Sequence, residues 1–223
     1  MDIGSAFTFV FDDQDWIKKL AIGGGILLLA FVLSPILIGL ALFLPVSGYM
    51  IQVLKNVRDN NPRPLPEWTD FGDLFKKGLS VFAIALVFML PGIILSCGAN
   101  GLTIAGDSMD QDAAGALAIV AVCLSCLQIL VSLGGQFLLP AAYIRYAQTD
   151  SIGSAFQFGE IFNFIRTNIG DYFIVFLLTL VASVVAGLGL ILCVIGVVFT
   201  TFWSFMVTAH LYGQLARKAR PIY

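Results

Sequence analysis

Residues Leu20–Leu54, LAIGGGILLLAFVLSPILIGLALFLPVSGYMIQVL, carry no charged side chain. A single α-helix over this stretch would be about 52 Å long at 1.5 Å per residue. The hydrocarbon core of a bilayer is only about 30 Å thick. Ser34–Pro35 offers a break, because proline cannot continue a helix without losing a hydrogen bond. The flanking charges decide the reading. Lys18 and Lys19 precede the run, and Lys55 and Arg58 follow it. Basic residues collect on the cytoplasmic side of a membrane, and only a hairpin places both pairs there. Two helices are therefore expected, over about 20–33 and 36–54. The first is short, so it begins in the headgroup layer or meets a thinned membrane.

The composition agrees. The chain is 59% hydrophobic and 12% charged, with a mean hydropathy of +0.94. Soluble domains run about 45–50% apolar and about 25% charged. So few charges could not cover the core of a soluble domain of this length. A net charge of −2 gives no basic face for nucleic acid. No cleavable signal peptide is visible in MDIGSAF, so insertion is expected to rely on the first, uncleaved hairpin.

Two further hairpins follow from the same argument. Gly78–Ser96 reads as one span, CGANGLTIAGDSMDQDAAG (Cys97–Gly115) as a loop, and Ala116–Ala147 as the next span, kinked by Pro140. The loop carries Asp107, Asp110 and Asp112 and no basic residue, which marks it as external, while Arg145 closes the pair on the inside. The third pair runs from Tyr172 to Leu215, with its turn within AGLGLILCVIG (Ala186–Gly196). Arg166 precedes it, and Arg217, Lys218 and Arg220 follow. The expected fold is an all-α integral membrane protein with six transmembrane helices in three hairpins and both termini cytoplasmic. All 12 basic residues then lie on the cytoplasmic side.

Each hairpin is preceded by an amphipathic stretch. IGSAFTF (Ile3–Phe9) and IGSAFQF (Ile152–Phe158) are near-copies. Ile3, Ala6, Phe7, Val10 and Phe11 share a helical face, as do Ile152, Ala155, Phe156, Gly159, Phe162 and Ile165. Ser151 or Asp150 is positioned to cap the second copy. LPEWTDFGDLFKKGL (Leu65–Leu79) puts Trp68, Phe71, Leu74, Phe75 and Leu79 on one face, with Asp70, Asp73, Lys76 and Lys77 on the other. Such helices suit a membrane surface. The expected interfacial anchors are Phe7, Trp16, Trp68, Phe71, Phe75, Phe156 and Phe162. FGDLF (Phe71–Phe75) and FGEIF (Phe158–Phe162) link the second unit to the third. The chain thus reads as one membrane domain, 1–223, built from a threefold internal repeat of parallel units at about 2–58, 65–149 and 150–220.

DIGSAFTFVFDDQDW, LPEWTDFGDLFKKGL and HLYGQLARKA (His210–Ala219) resemble the domain-of-unknown-function 4013 family of small, multi-pass prokaryotic membrane proteins. The likeness extends over nearly the whole chain, and LPEW…DxGxLFxxG is its most specific part. It implies a helical protein of the plasma membrane and carries no activity or functional residue with it.

The residue inventory offers little chemistry. Cys123 and Cys126 share a helix face in CLSC, but as metal or redox groups they lack neighbours, and the favoured reading is packing. Cys97 and Cys193 also sit in or beside apolar runs. His210, the single histidine, is expected near the inner membrane surface, bonded to backbone or headgroup; a cytoplasmic pH sensor is the alternative. Gly23–Gly25 lacks the lysine of a phosphate loop. Gln128 and Gln136 are the strongest polar groups inside the membrane, Gln128 nearest the midplane, and such amides bond between helices. No ionisable group is expected at that depth, which weighs against ion-coupled transport. Gly196, Thr200, Ser204 and Thr208 form a small-residue stripe for close helix packing, within the chain or against a partner.

The expected function is non-catalytic, with no cofactor and no metal: a scaffold or accessory subunit that acts by association. The alternative is a small permease or lipid-handling protein. Membrane lipids are the expected partners, together with a homo-oligomer or a larger membrane complex. The topology has a direct test. On a cysteine-free background, an impermeant thiol reagent outside the cell should label Ser108→Cys and spare Thr69→Cys. The reverse pattern overturns the arrangement.

Overall fold

The computed structural model describes residues 1–35 and 38–219. Helix makes up 86% of it, and no strand occurs among the described residues. The α-helices are α1 (Ile3–Thr8), α2 (Trp16–Val32), α3 (Ile38–Arg58), α4 (Phe71–Gly106), α5 (Gln111–Thr149), α6 (Phe158–Thr167), α7 (Ile169–Leu188) and α8 (Cys193–Lys218). Short 3-10 segments occupy Phe9–Asp12, Ile152–Phe156 and Gly189–Leu192. Four helical stretches, Ile38–Arg58, Phe71–Gly106, Gln111–Thr149 and Ile169–Ile191, are long and apolar enough to cross a bilayer.

Aspartates set several helix starts. The Ser5 N–H donates to Asp2 Oδ1 at 3.0 Å, the Asp73 N–H to Asp70 Oδ1 at 3.1 Å, and the Ala113 N–H to Asp110 Oδ1 at 2.9 Å. Each bond satisfies an orphan donor of a first turn. Past the ends of α3 and α5 the chain turns through Asn60 (φ 57°) and Asp150 (φ 55°). Asn and Asp are the non-glycine residues that best tolerate this left-handed conformation.

The break at Ser34–Pro35 lies in the turn after α2, while the expected first residues of the next helix, Ile36 and Leu37, lie outside the described residues, as does Arg220. Ala186–Gly196, where the third turn is expected, contains the 3-10 segment Gly189–Leu192.

Three expectations are corrected. First, no separate helix covers Leu65–Leu79: Leu65–Asp70 is non-helical, and Phe71–Leu79 forms the opening turns of α4. Pro64 and Pro66 lack N–H donors, and the Tyr49 hydroxyl donates to the Pro66 carbonyl at 2.9 Å. The segment is held as a strap until Asp70 caps the helix. Second, the loop expected over Cys97–Gly115 shrinks to Asp107–Asp110. Asn100 Nδ2 donates to the Ser96 carbonyl at 2.9 Å, and the Thr103 hydroxyl to the Ala99 carbonyl at 2.8 Å. These polar side chains bond back one turn and stay helical. Third, the two IGSAF copies differ. Ile3–Thr8 is α-helical, whereas Ile152–Phe156 is a 3-10 segment. Asp2 caps the first copy. Asp150 pairs instead with Lys55, and Ser151 makes no side-chain cap bond. The Ser154 N–H and hydroxyl both donate to the Ser151 carbonyl, at 3.2 and 2.7 Å, which tightens the turn.

The chain packs as two compact units, Met1–Phe82 with Ala141–Tyr223, and Ala83–Pro140. Their boundaries fall inside α4 and α5. The first unit has a core of fully buried side chains that includes Tyr49, Ile51, Leu54, Phe164, Tyr172, Phe202, Met206 and Leu211. Here α3 and α4 meet backbone to backbone. A Cβ on Gly48 would lie 1.8 Å from the Leu74 carbonyl oxygen, and one on Gly78 would lie 1.8 Å from that of Leu44. Gly213 brings α8 against α3 in the same way, 2.7 Å from the Leu54 carbonyl oxygen. In the second unit, a Cβ on Gly135 would lie 2.8 Å from the Phe88 carbonyl oxygen.

No flexible side chain can give way at the Gly48–Gly78 crossing. Gly48→Leu or Gly78→Leu should destabilise the protein by roughly 3 kcal/mol or more, read as a lower midpoint in thermal unfolding in detergent. Gly25→Ala, where a Cβ meets nothing within 4 Å, should be neutral or stabilising by up to about 1 kcal/mol.

Candidate functional site

The second unit contains a cleft between α4 and α5, about 310 Å³ in volume, with a few polar side chains set in a mainly apolar lining. Gln128, Ser132 and Gln136 contribute from α5, each one turn beyond the last, and Ser96 and Cys97 from α4. Gly92 and Gly135 let the helices close beneath them, since a Cβ on Gly92 would lie 2.5 Å from Ser132 Oγ. Gln128 is half-buried and Gln136 exposed. Neither amide hydrogen-bonds to another group among the described residues. The expected bond between helices is therefore not made among the described residues. The sequence singled out the two glutamines but not Ser96, Cys97 and Ser132. The signal for Ser132 was its spacing, one turn from each glutamine.

A second polar centre lies in the first unit. Lys19, expected at the cytoplasmic surface, is buried. Its ammonium lies 2.8 Å from Asp13 and 2.8 Å from Glu67, and donates to the Leu65 carbonyl at 3.2 Å. A polar cavity of about 480 Å³ borders this group, lined also by Asp12, Asp15 and Arg63. Trp68 is likewise buried rather than interfacial. Its ring stacks on Tyr49 at 4.3 Å, and its indole N–H donates to the Lys19 carbonyl at 3.1 Å.

His210 is buried too. Its ring lies 4.3 Å from that of Phe9, and its Nδ1 is 3.1 Å from Gln214 Nε2. It bonds to a side chain, not to backbone or headgroup as expected. Gln214 clamps the N-terminal segment: the Asp2 N–H donates to Oε1 at 2.7 Å, and Nε2 donates to the Asp2 carbonyl at 2.8 Å. With one amide hydrogen on Asp2, the other faces His210 Nδ1, which acts as the acceptor.

Of the other expected anchors, Phe71, Phe75 and Phe162 are exposed, and Phe7, Trp16 and Phe156 half-buried. Phe7 lies 5.9 Å from the Trp203 ring, and Trp16 lies 5.1 Å from Phe11. On α8, the Thr200 hydroxyl donates to the Gly196 carbonyl at 3.0 Å and to the Ala186 carbonyl of α7 at 2.8 Å. Ser204 is buried and Thr208 half-buried. Cys123 and Cys126, expected to pack, are exposed free thiols, as is Cys97. The Cys193 side chain lies outside the described residues. No cluster of three metal-ligating side chains occurs among the described residues.

Burial pushes the Asp13 carboxyl up, but other contacts outweigh it. The hydrogen bonds from Lys19 and the Asp15 N–H, with the charges of Lys19 and Arg63, hold it below its usual value. A depressed carboxylate contributes stability that is present above its unfolded pKa, about 3.9, and lost as pH falls through the folded value. Thermal stability in detergent should therefore drop as the pH is taken below about 4. Asp13→Asn should remove that component and cost roughly 2 kcal/mol at neutral pH.

Compared with known proteins, the chain matches the family model described as protein of unknown function (DUF4013) over residues 28–195. LPEWTDFGDLFKKGL falls inside the matched region, while the N-terminal and C-terminal stretches that carry the likeness lie outside it. No curated protein and no solved structure matches. With more than half of its length matched, this chain of long apolar helices belongs to the DUF4013 family of proteins of unknown function.

Proposed function

We propose that the protein is a non-catalytic scaffold or accessory subunit that crosses the plasma membrane six times and acts by association within it. The four long apolar helices supply four crossings. We assign the other two to α2, of 17 residues, and α8, of 26 residues, each joined to its neighbour by a short turn.

Polar pairing within the first unit supports three hairpins opening to one side. Lys19, at the start of α2, pairs with Glu67, just before α4. Lys77, early in α4, donates to Gln52, late in α3. Lys55, near the end of α3, pairs with Asp150, just past α5. Lys218, the last residue of α8, pairs with Asp171, in the first turn of α7. A basic layer of this kind suits the cytoplasmic face of a membrane protein. The exposed Phe71, Phe75 and Phe162 suit the adjoining headgroup region.

The observation that carries the reading is the pair of amides without a hydrogen-bond partner among the described residues. Gln128 lies midway along α5 between Asp112 and Arg145, at the depth where hydrocarbon offers no hydrogen bonds. A polar group there is costly unless another protein group meets it. Purified from its host into native nanodiscs, the protein should carry a stoichiometric protein companion or a second copy. Gln128→Leu with Gln136→Leu should release it. A wild-type monomer with no companion overturns the reading.

One observation favours lipid handling as a second reading. An apolar groove of about 440 Å³ runs between α2, α3 and α8, bordered by Leu27, Phe31, Leu40, Phe43 and Val198. It suits an acyl chain. Lipid that copurifies in fixed ratio and moves between liposomes would support this reading, and the absence of both would remove it.

A further inference from the structure

We propose that Arg166 holds the phosphate of an anionic phospholipid whose acyl chains lie along the exposed face of α7. The proposal rests on the membrane reading above, which puts this end of α7 in the cytoplasmic leaflet, and adds a headgroup site to it.

Helices α6 and α7 are separated by one residue, Asn168. Ile169 opens the stretch Ile169–Ile191, one of the four that are long and apolar enough to cross a bilayer. With so short a join, α6 lies close to the point where the chain enters the membrane. Its side chains divide by face. Ile161, Phe164 and Ile165 are buried in the first unit, while Phe162, Asn163, Arg166 and Thr167 are exposed. The division continues in α7, where Tyr172 and Val175 are buried and Ile169, Phe173 and Leu177 are exposed. Phe162 and Arg166 lie one turn apart on α6, and Ile169, Phe173 and Leu177 follow at the same interval on α7. Arg166 thus stands between an exposed aromatic ring and the apolar face of a crossing helix, the level at which a bilayer carries its phosphates.

The chemistry selects an anionic lipid. Arg166 is exposed and forms no hydrogen bond or ion pair among the described residues. A guanidinium presents a planar fork of donors that matches phosphate oxygens, and its stem can rest on apolar surface while the head reaches the headgroup layer. The two acidic residues nearest Arg166 in the sequence are engaged elsewhere. Glu160 lies 4.0 Å from Arg145, and Asp171 lies 2.7 Å from Lys218. Neither is left for the ammonium of a zwitterionic headgroup, whereas a net negative lipid is drawn by the uncompensated charge. Lys18 and Arg63, also exposed, stand in acidic surroundings instead. Lys18 shares a small recess with Glu67, and Arg63 a cavity with Asp12, Asp13, Asp15 and Glu67. A soluble acidic segment would meet Arg166 but leave Phe173 and Leu177 uncovered. One phospholipid meets the charge and the apolar face together.

The test uses the purified full chain, stripped of lipid in neutral detergent and returned to nanodiscs of equal parts phosphatidylglycerol and phosphatidylethanolamine. Native mass spectrometry should find phosphatidylglycerol retained on the wild type. Arg166→Gln should lower that retention roughly tenfold, and Arg166→Lys should keep part of it. Arg63→Gln, which removes the same charge elsewhere, should keep all of it. In detergent, added phosphatidylglycerol should raise the thermal unfolding midpoint of the wild type and not that of Arg166→Gln. Without lipid the two should unfold alike, because Arg166 is exposed. Retention indifferent to Arg166→Gln, an equal loss in Arg63→Gln, or an equal rise in midpoint from water-soluble glycerol phosphate overturns the proposal. So does an acidic protein that copurifies with the wild type in place of the lipid and is lost from Arg166→Gln. On a cysteine-free background, Thr167→Cys should react with an impermeant thiol reagent only from the cytoplasmic side. If it does, and retention ignores Arg166, the lipid site is wrong and the membrane reading stands. If it reacts from outside while retention still depends on Arg166, the membrane reading is wrong and the lipid site stands in the opposite leaflet.

Discussion

The ammonium of Lys19 sets the geometry at one end of the first unit. A buried cation costs several kcal/mol unless charges and hydrogen bonds surround it. Here Asp13, Glu67 and the Leu65 carbonyl all converge on it. Two of those three groups belong to the strap before α4, so satisfying the charge fixes where the strap lies. Trp68 follows, its N–H on the Lys19 carbonyl and its ring on Tyr49. Asp70 ends the strap and caps α4. The helix therefore starts at a defined place, and its second turn delivers Gly78 to the Leu44 carbonyl. An unmatched charge at Lys19 would loosen the strap, the cap and the helix crossing together.

Length and charge made much of this fold legible in the sequence. Hydrocarbon demands long apolar helices and rejects charge, so Leu20–Leu54 had to break, and the structure has a turn after Val32. Periodicity was less reliable wherever tertiary contacts competed with it. The pattern Trp68, Phe71, Leu74, Phe75 presumes a helix that includes Trp68. The chain is a strap there, and Trp68 is buried while Phe71 and Phe75 face outward. Identical letters were also insufficient. IGSAF is α-helical after Asp2, which caps it, and 3-10 after Asp150, whose carboxylate Lys55 has taken. The cleft was half legible: the glutamines stand out in an apolar helix, but Ser96 and Cys97 join them only through the register of α4 against α5, which no single-helix pattern contains.

Several hydroxyls in the apolar helices need no partner from another element. Ser47, Thr103, Ser125, Ser183 and Thr200 each donate to a carbonyl one turn back in their own helix. A short hydroxyl is satisfied locally and asks nothing of its surroundings. A glutamine amide has two donors and an acceptor at the end of a longer side chain, and the chain generally uses it to reach another element. Gln214 clamps Asp2, Gln52 accepts from Lys77, and Gln157 accepts from Arg145. Gln128 and Gln136 have the same reach but no such target among the described residues. They also lie in the uncharged stretch of α5 between Asp112 and Arg145. Whatever meets them lies beyond the described residues, and in a bilayer it must bring hydrogen-bonding groups with it.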